Sequence, residues 1–178
     1  ENLKNFSLEN TEGVQTVDVC TICNQLITLI SAQYSAPHYK FECEHEKVEV
    51  MGNPGPLKQA LMNVMINAAQ AIETKGFVKL SVIEKGDSVV IKILDSGCGI
   101  PVKHRKRLFE PFFTTKPEGQ GQGLGLSVAY TAIEQHQGKI SISSKENKGT
   151  VVEITIPKQL SCLENESIDS ELDSPLTP

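Results

Sequence analysis

The sequence predicts an α/β fold, a two-layer sandwich in which a mixed, mostly antiparallel sheet packs on helices. Three observations predict it. Two pairs of β-rich segments flank tight turns, Lys85-Gly86-Asp87 and Asn147-Lys148-Gly149, and read as hairpins. Two long segments, beginning near Leu57 and Leu124, repeat apolar residues at helical spacing. Strands and helices do not alternate one for one, which argues against a string of βαβ units. One sheet face should lie on the helices, with the other largely wet.

Residues 1–16 are polar with scattered apolar positions, the pattern of a preceding element's end and a linker. The domain is expected over 17–157. Asp18 can cap a helix to about Ser31, with Cys20, Cys23, Ile27 and Ile30 on one face. Cys20-Thr-Ile-Cys23 has the spacing of a redox motif but lies inside a helical pattern without Pro or Gly, so both are expected as buried thiols. No further ligands stand at zinc spacing. The chain has 5 Cys, and an odd count without a secretion signal suits a reducing cytosol.

Segments 39–43 and 47–51 read as short strands around a Glu-His-Glu turn. The breaker run Gly52-Asn53-Pro54-Gly55-Pro56 leads into a helix from 56 or 57 to about 73, striped by Leu57, Leu61, Val64, Ala68 and Ile72. Strands 77–83 and 88–94 form the first hairpin. A loop over 95–101, a short helix near 104–109 and an irregular stretch over 111–122 follow. The next helix, from 123 or 124 to 138, buries Leu126, Val128, Ala129, Ala132 and Ile133. Strands 139–144 and 150–156 close the domain. Residues 158–178 are Ser- and acid-rich without periodicity, the composition of a disordered tail.

The chain has 178 residues, 39% hydrophobic and 22% charged, enough for one soluble domain with a core. With six Phe, three Tyr and no Trp, that core must be largely aliphatic. No apolar run approaches the ~20 residues of a membrane span. The sequence starts without Met and without a signal-peptide pattern, as a fragment of a longer protein would. Most of the net charge of -5 comes from the tail. No basic stripe with interleaved aromatics is present, which argues against nucleic acid. Lys103-His104-Arg105-Lys106-Arg107 is the strong basic cluster, either the solvent face of a short helix or a contact for phosphate or an acidic partner.

Three features carry chemistry. Asn63 and Asn67 project from one helix face beside an apolar stripe, where amides cost desolvation unless paired. They either bond backbone or each other, or offer an amide oxygen to a hard cation such as Mg2+. Asp95 precedes Gly97 and Gly99. Its carboxylate either orders its own turn or accepts from an exocyclic amine such as adenine's, with the glycines letting the ring lie flat. Gly121, Gly123 and Gly125 precede a helix whose N-terminus can receive an anion, and Lys116 is either a phosphate contact or a solvated loop lysine. No P-loop is present, and the strand and acid of a dinucleotide fingerprint are missing.

In order and spacing, four segments resemble the catalytic, ATP-binding domain of sensor histidine kinases, with its Bergerat ATP-binding fold. They are Leu57-Lys58-Gln59-Ala60-Leu61-Met62-Asn63-Val64-Met65-Ile66-Asn67-Ala68-Ala69-Gln70-Ala71, Asp95-Ser96-Gly97-Cys98-Gly99-Ile100, Leu108-Phe109-Glu110-Pro111-Phe112-Phe113-Thr114-Thr115-Lys116 and Gly121-Gln122-Gly123-Leu124-Gly125-Leu126-Ser127. The superfamily includes the ATPase domains of type II topoisomerases, ninety-kilodalton chaperones and mismatch-repair proteins. The resemblance spans about residues 14–157.

The resemblance implies roles. Asn67 would ligate Mg2+, with Asn63 beside it near the phosphates and Lys116 completing the catalytic set. Asp95 would bind the adenine amine in a pocket shaped by Gly97, Gly99 and Ile100. Residues 112–122 would be the ATP lid, with Phe112, Thr114, Thr115, Lys116, Gly121 and Gln122 facing nucleotide and Gly123, Leu124, Gly125 and Leu126 leading into the phosphate-side helix. Phe109, Phe112 and Phe113 would anchor the lid and face the partner domain. In the ATPase branches the position of Asn63 is a water-activating Glu; an Asn is no general base, which favours transfer to a histidine. Many relatives place a basic or ring side chain where Gln70 or Ala71 stands here.

The implied partners are a dimerisation and histidine-phosphotransfer domain, of whose end Leu3-Lys4-Asn5-Phe6-Ser7 is reminiscent, and a response-regulator receiver domain. The fragment would be monomeric, the full-length protein homodimeric, and the domain cytoplasmic, with membrane anchoring left open. The acceptor is not identifiable among His38, His45, His104 and His136. A nucleotide-responsive binding module without kinase activity and an anti-sigma-type serine kinase are the alternatives.

Overall fold

Both expected hairpins form, and they lie side by side in one sheet. In the computed structural model, residues 13–117 and 121–160 are described. The leading residues 1–12, lid residues 118–120 and residues 161–178, with Cys162 and most of the expected acidic tail, lie outside them. The elements in chain order are β1 (Gln15–Asp18), α1 (Val19–Gln33), β2 (Pro37–Cys43), β3 (Glu49–Gly52), α2 (Pro54–Gln70), β4 (Gly76–Lys85) and β5 (Ser88–Asp95). A short 3-10 helix (Val102–Arg107), α3 (Gly125–Gln135), β6 (Lys139–Lys145) and β7 (Gly149–Pro157) complete the chain.

The five-stranded sheet has the order β2-β4-β5-β7-β6. β2 runs parallel to β4, and every other pair is antiparallel. This is the mixed, mostly antiparallel sheet that the hairpins predicted. Its inner face carries Val78, Leu80, Val82, Ile91, Ile93, Ile154 and Ile156, all buried; α1 packs on β2 and β4, α2 on β4 and β5, and α3 on β6. The outer face is wet. Lys92 pairs with Glu153 across the β5–β7 register, and Glu42 bridges Lys40 and Lys79. Hydrogen bonds from Lys40 and Lys79 hold the Glu42 carboxyl down at about 2.

α1 starts at its expected cap, while α2 starts at Pro54, ahead of the expected 56 or 57, and ends at Gln70, and α3 starts at Gly125. Asp18 accepts from the Cys20 N–H at 3.1 Å, and Asn53 from the Gly55 N–H at 3.2 Å, each capping orphan donors. Leu57, Leu61, Val64 and Ala68 are all buried, so the stripe of α2 faces the core throughout, and Ile72, just past the helix end, is buried too. Each full Leu or Ile burial stabilises by about 1.5–3 kcal/mol. On α3, Ala129, Ala132 and Ile133 are buried, but Val128 is 43% exposed, so its apolar stripe is narrower than the sequence suggests.

Two expectations need correction. Gln15 and Thr16, assigned to a linker, belong to a strand, Gln15–Asp18, paired antiparallel with β3 in a separate two-stranded sheet. Both strands around the Glu-His-Glu turn form; β2 joins the large sheet and β3 the small one. Cys20 is not a free thiol but is disulfide-bonded to Cys43, because β2 runs back past the first turn of α1 and brings the two Cα atoms to 6.8 Å. Cys23, one turn further on, is a buried thiol whose pKa burial pushes up to about 12.

Candidate nucleotide site

The two asparagines on α2 meet different partners. Asn63 is engaged at both ends of its amide: Nδ2 donates to the Gly125 carbonyl at 3.1 Å, and Oδ1 accepts from Gln59 Nε2 at 2.9 Å. It clamps the start of α3 onto α2, which is the backbone-bonding alternative left open for it. Asn67 Oδ1 instead accepts from the Lys116 ammonium at 3.3 Å. Lys116 reaches it from the lid segment and also donates to Gln70 Oε1. Partial burial lowers the Lys116 pKa.

A hard cation needs oxygen donors, and the Asn67 amide oxygen already holds a cationic group. An amide oxygen is the donor type that Mg2+ takes, so Asn67 offers one ligand of the kind such an ion needs. Gly125 lies close by, with Asn67 Nδ2 about one van der Waals contact from where a Cβ would stand. α3 has no side-chain hydrogen bond capping its N-terminus, unlike α1 and α2, so its first N–H groups can receive anionic oxygens. Ser127 Oγ donates to Leu124 O at 2.9 Å, and Leu126 packs against the core.

Asp95 ends β5 at 4% exposure. Its Oδ1 accepts from the Gly97 N–H at 2.8 Å, and Thr150 supplies a second backbone bond. Burial raises its pKa, outweighing those bonds. The carboxylate therefore does order its own turn, while one charged group sits in a nearly dry site.

The loop after Asp95 is stitched between two elements. Cys98 N donates to Ala71 O at 3.0 Å, Asn147 N to Cys98 O at 2.7 Å, and Ile100 N to Ser144 Oγ at 2.8 Å. Gly99 has φ +68, and a Cβ there would meet Lys145 O at 2.2 Å; one on Gly97 would meet Ala71 O at 2.5 Å. The protein's own backbone occupies the space their missing side chains leave.

In the lid, Phe112 has φ 65 and is 75% exposed, a conformation costly for a bulky residue. Gly123, at φ +68, abuts the Phe112 carbonyl so closely that a Cβ would lie at 2.4 Å from it. Thr114 Oγ1 accepts from Lys116 N at 3.1 Å, and Thr114 and Lys116 side chains flank Gly121. Thr115 and Gln122 are exposed. Phe109 packs on Tyr130 at 5.1 Å between centroids. Phe113 contacts His104 and lies under the Arg107 guanidinium at 4.4 Å. Part of the basic cluster thus packs on Phe113, while Lys103 and Lys106 remain exposed.

Sequence reasoning did not single out Gln70, Tyr34 or His136 for the contacts they make. Gln70 could have been found as the next same-face polar residue, three positions after Asn67. His136 is 2% exposed; its Nε2 accepts from Asn53 N at 3.0 Å and its Nδ1 donates to Ala132 O at 2.7 Å, tying α3 to the start of α2. No sequence signal marks it. A groove of about 550 Å³ on the other flank of α3, between Pro56, Phe112, Val128 and Thr131, contains none of Asn67, Asp95 or Lys116.

The sequence profile described as "Histidine kinase-, DNA gyrase B-, and HSP90-like ATPase" matches residues 52–160. Sensor histidine kinase ZraS of Escherichia coli K12 is 35% identical over 147 residues, covering 82% of this chain and 31% of ZraS. The chain thus spans about a third of the length of that curated relative. The nucleotide-free catalytic domain of histidine kinase ThkA superposes with a TM-score of 0.75 at 29% identity, over 83% of this chain and 97% of that one. ThkA in complex with the response regulator protein TrrA superposes with a TM-score of 0.70 at 27% identity, over 88% of this chain and 45% of that one. Among the described residues, no helix is long and apolar enough to cross a membrane.

Proposed function

The chain belongs to the histidine kinase-, DNA gyrase B- and HSP90-like ATPase family, homologous to sensor histidine kinases, and from that premise we propose that it binds Mg-ATP and passes the γ-phosphoryl group to a histidine on a separate dimerisation domain. The observation that carries this reading is the cation held on Asn67 Oδ1 where α2, the lid and the start of α3 meet.

Each group has a task in that reaction. Asp95 accepts from the adenine amine, and the Gly97–Ile100 backbone forms the rigid wall beside it. The uncapped N-terminus of α3 and the Lys116 ammonium face the phosphates. Phe112, Thr114, Thr115, Gly121 and Gln122 close over them as the lid and exclude water. Mg2+ ligated by Asn67 would offset the charge that develops between the phosphates. Asn63, with both amide ends engaged, fixes the phosphate-side helix and activates no water, which favours transfer over hydrolysis. Catalysis is then mainly positioning, because the nucleophile arrives with another domain.

The partners follow from the relatives. A response-regulator receiver domain would take the phosphoryl group onward, as the ThkA–TrrA pairing suggests. The fragment would be a monomeric cytoplasmic domain of a homodimer.

Two measurements test this reading. Asn67→Ala is expected to weaken Mg-ATP binding at least tenfold by calorimetry; unchanged affinity refutes the metal assignment. Radiolabelled ATP incubated with the full-length protein should leave an acid-labile, alkali-stable phosphate. Bound ATP without label would instead support a nucleotide-responsive binding module, and an acid-stable label a serine kinase.

A further inference from the structure

Lys116 does not merely approach Asn67; a second side chain holds it there. Gln70 lies on the same face of α2, and its Oε1 also accepts from the Lys116 ammonium. Gln70 is itself oriented: Nε2 donates to the Tyr34 hydroxyl at 3.1 Å, and Tyr34 closes α1 as its C-terminal cap. The Tyr34 carbonyl accepts from Tyr39 Oη at 2.8 Å, which ties that corner to β2. An ammonium only donates, so Gln70 must turn its oxygen to Lys116 and its nitrogen to Tyr34.

We propose that Gln70 is a positioning residue that parks the Lys116 ammonium on the Asn67 amide oxygen, so that the lid lysine and a divalent cation are alternative occupants of that oxygen. The proposal rests on the reading of Asn67 as the metal ligand. An oxygen that ligates Mg2+ does so at about 2.0–2.1 Å and tolerates no second cation beside it. Metal-loaded nucleotide must therefore move the Lys116 ammonium off that oxygen and onto the phosphates. Metal-free nucleotide meets Lys116 already in place as the charge opposite its phosphates. Gln70, by holding the lysine, sets how strongly nucleotide binding depends on the metal.

The test compares the wild-type chain with Lys116→Met and Gln70→Leu, all surface changes that leave the core intact. ATP is titrated by calorimetry in EDTA and in excess Mg2+, and backbone hydrogen exchange over residues 113–117 is measured without nucleotide or metal. Lys116→Met should weaken ATP binding in both conditions, and about tenfold more without metal than with it. Gln70→Leu should speed lid exchange at least fivefold and shift the ratio of the two ATP affinities. A ratio unchanged in both variants overturns the exclusion. Lid exchange unchanged by Gln70→Leu overturns the parking. Exchange needs no nucleotide, so failure of the wild-type chain to bind ATP would count against the proposed function and leave the parking to be decided by exchange alone.

Discussion

Replacing Gly99 by Ala separates two explanations for the glycines beside Asp95. Alanine at φ +68 costs about 1–2 kcal/mol in backbone conformation. Its Cβ would also stand 2.2 Å from the Lys145 carbonyl oxygen, far inside contact distance, and a backbone atom cannot swing aside. The β6–β7 turn must retreat by roughly an ångström, a distance that breaks the 2.7 Å bond from Asn147 N to Cys98 O, worth about 0.5–1.5 kcal/mol. The expected total is about 1.5–3.5 kcal/mol. Gly86 supplies the control, since it has φ +58 but nothing within 4 Å of where a Cβ would stand. Gly86→Ala should cost only the conformational part, about 1–2 kcal/mol. The entropy that alanine removes from the unfolded chain is common to both and cancels. Urea unfolding without nucleotide should therefore rank Gly99→Ala about 0.5–1.5 kcal/mol below Gly86→Ala. Equal losses, with ATP affinity alone reduced in Gly99→Ala, would refute the backbone-contact explanation and restore a role confined to the adenine ring.

Other outcomes follow from the same contacts. ATP affinity should decline as the pH falls through the raised Asp95 pKa, because the protonated carboxyl no longer accepts freely; Asp95→Asn should bind more weakly and lose this pH dependence, as calorimetry at several pH values would show. The raised value also means that Asp95 favours the fold most when protonated, and that this contribution is lost as the pH rises from the unfolded to the folded pKa; Asp95→Asn should flatten that part of the stability profile in urea titrations. His136→Ala removes the acceptor for Asn53 N and opens a buried void, a loss of about 2–4 kcal/mol, read as a fall in Tm of roughly 2–4 °C for each kcal/mol.

Much of the fold was legible because its signals are local. The turn residues Gly86 and Gly149, the cap Asp18 and the apolar stripe of α2 act within a few residues of themselves. Strand partners were harder to read. β2 and β3 flank one short turn, yet β3 pairs with β1 and β2 with β4, since pairing is decided by which edges the rest of the chain leaves open. The Cys20–Cys43 bond was illegible for the same reason: a helix position and a strand position meet only once the strand has been placed.

The sequence by itself determined the α/β class, the family and the order of the segments that build the nucleotide side, because motif spacing survives without knowledge of contacts. Tertiary structure alone decided what each polar group does with its hydrogen bonds. Asn63 and Asn67 look equivalent as neighbours on one helix face. Gln59 and Gly125 consume the first, while the second turns its oxygen to a lysine that arrives from 49 residues away. A hydrogen bond is satisfied by whatever lies within about 3 Å, and nearness of that kind is a property of the folded chain.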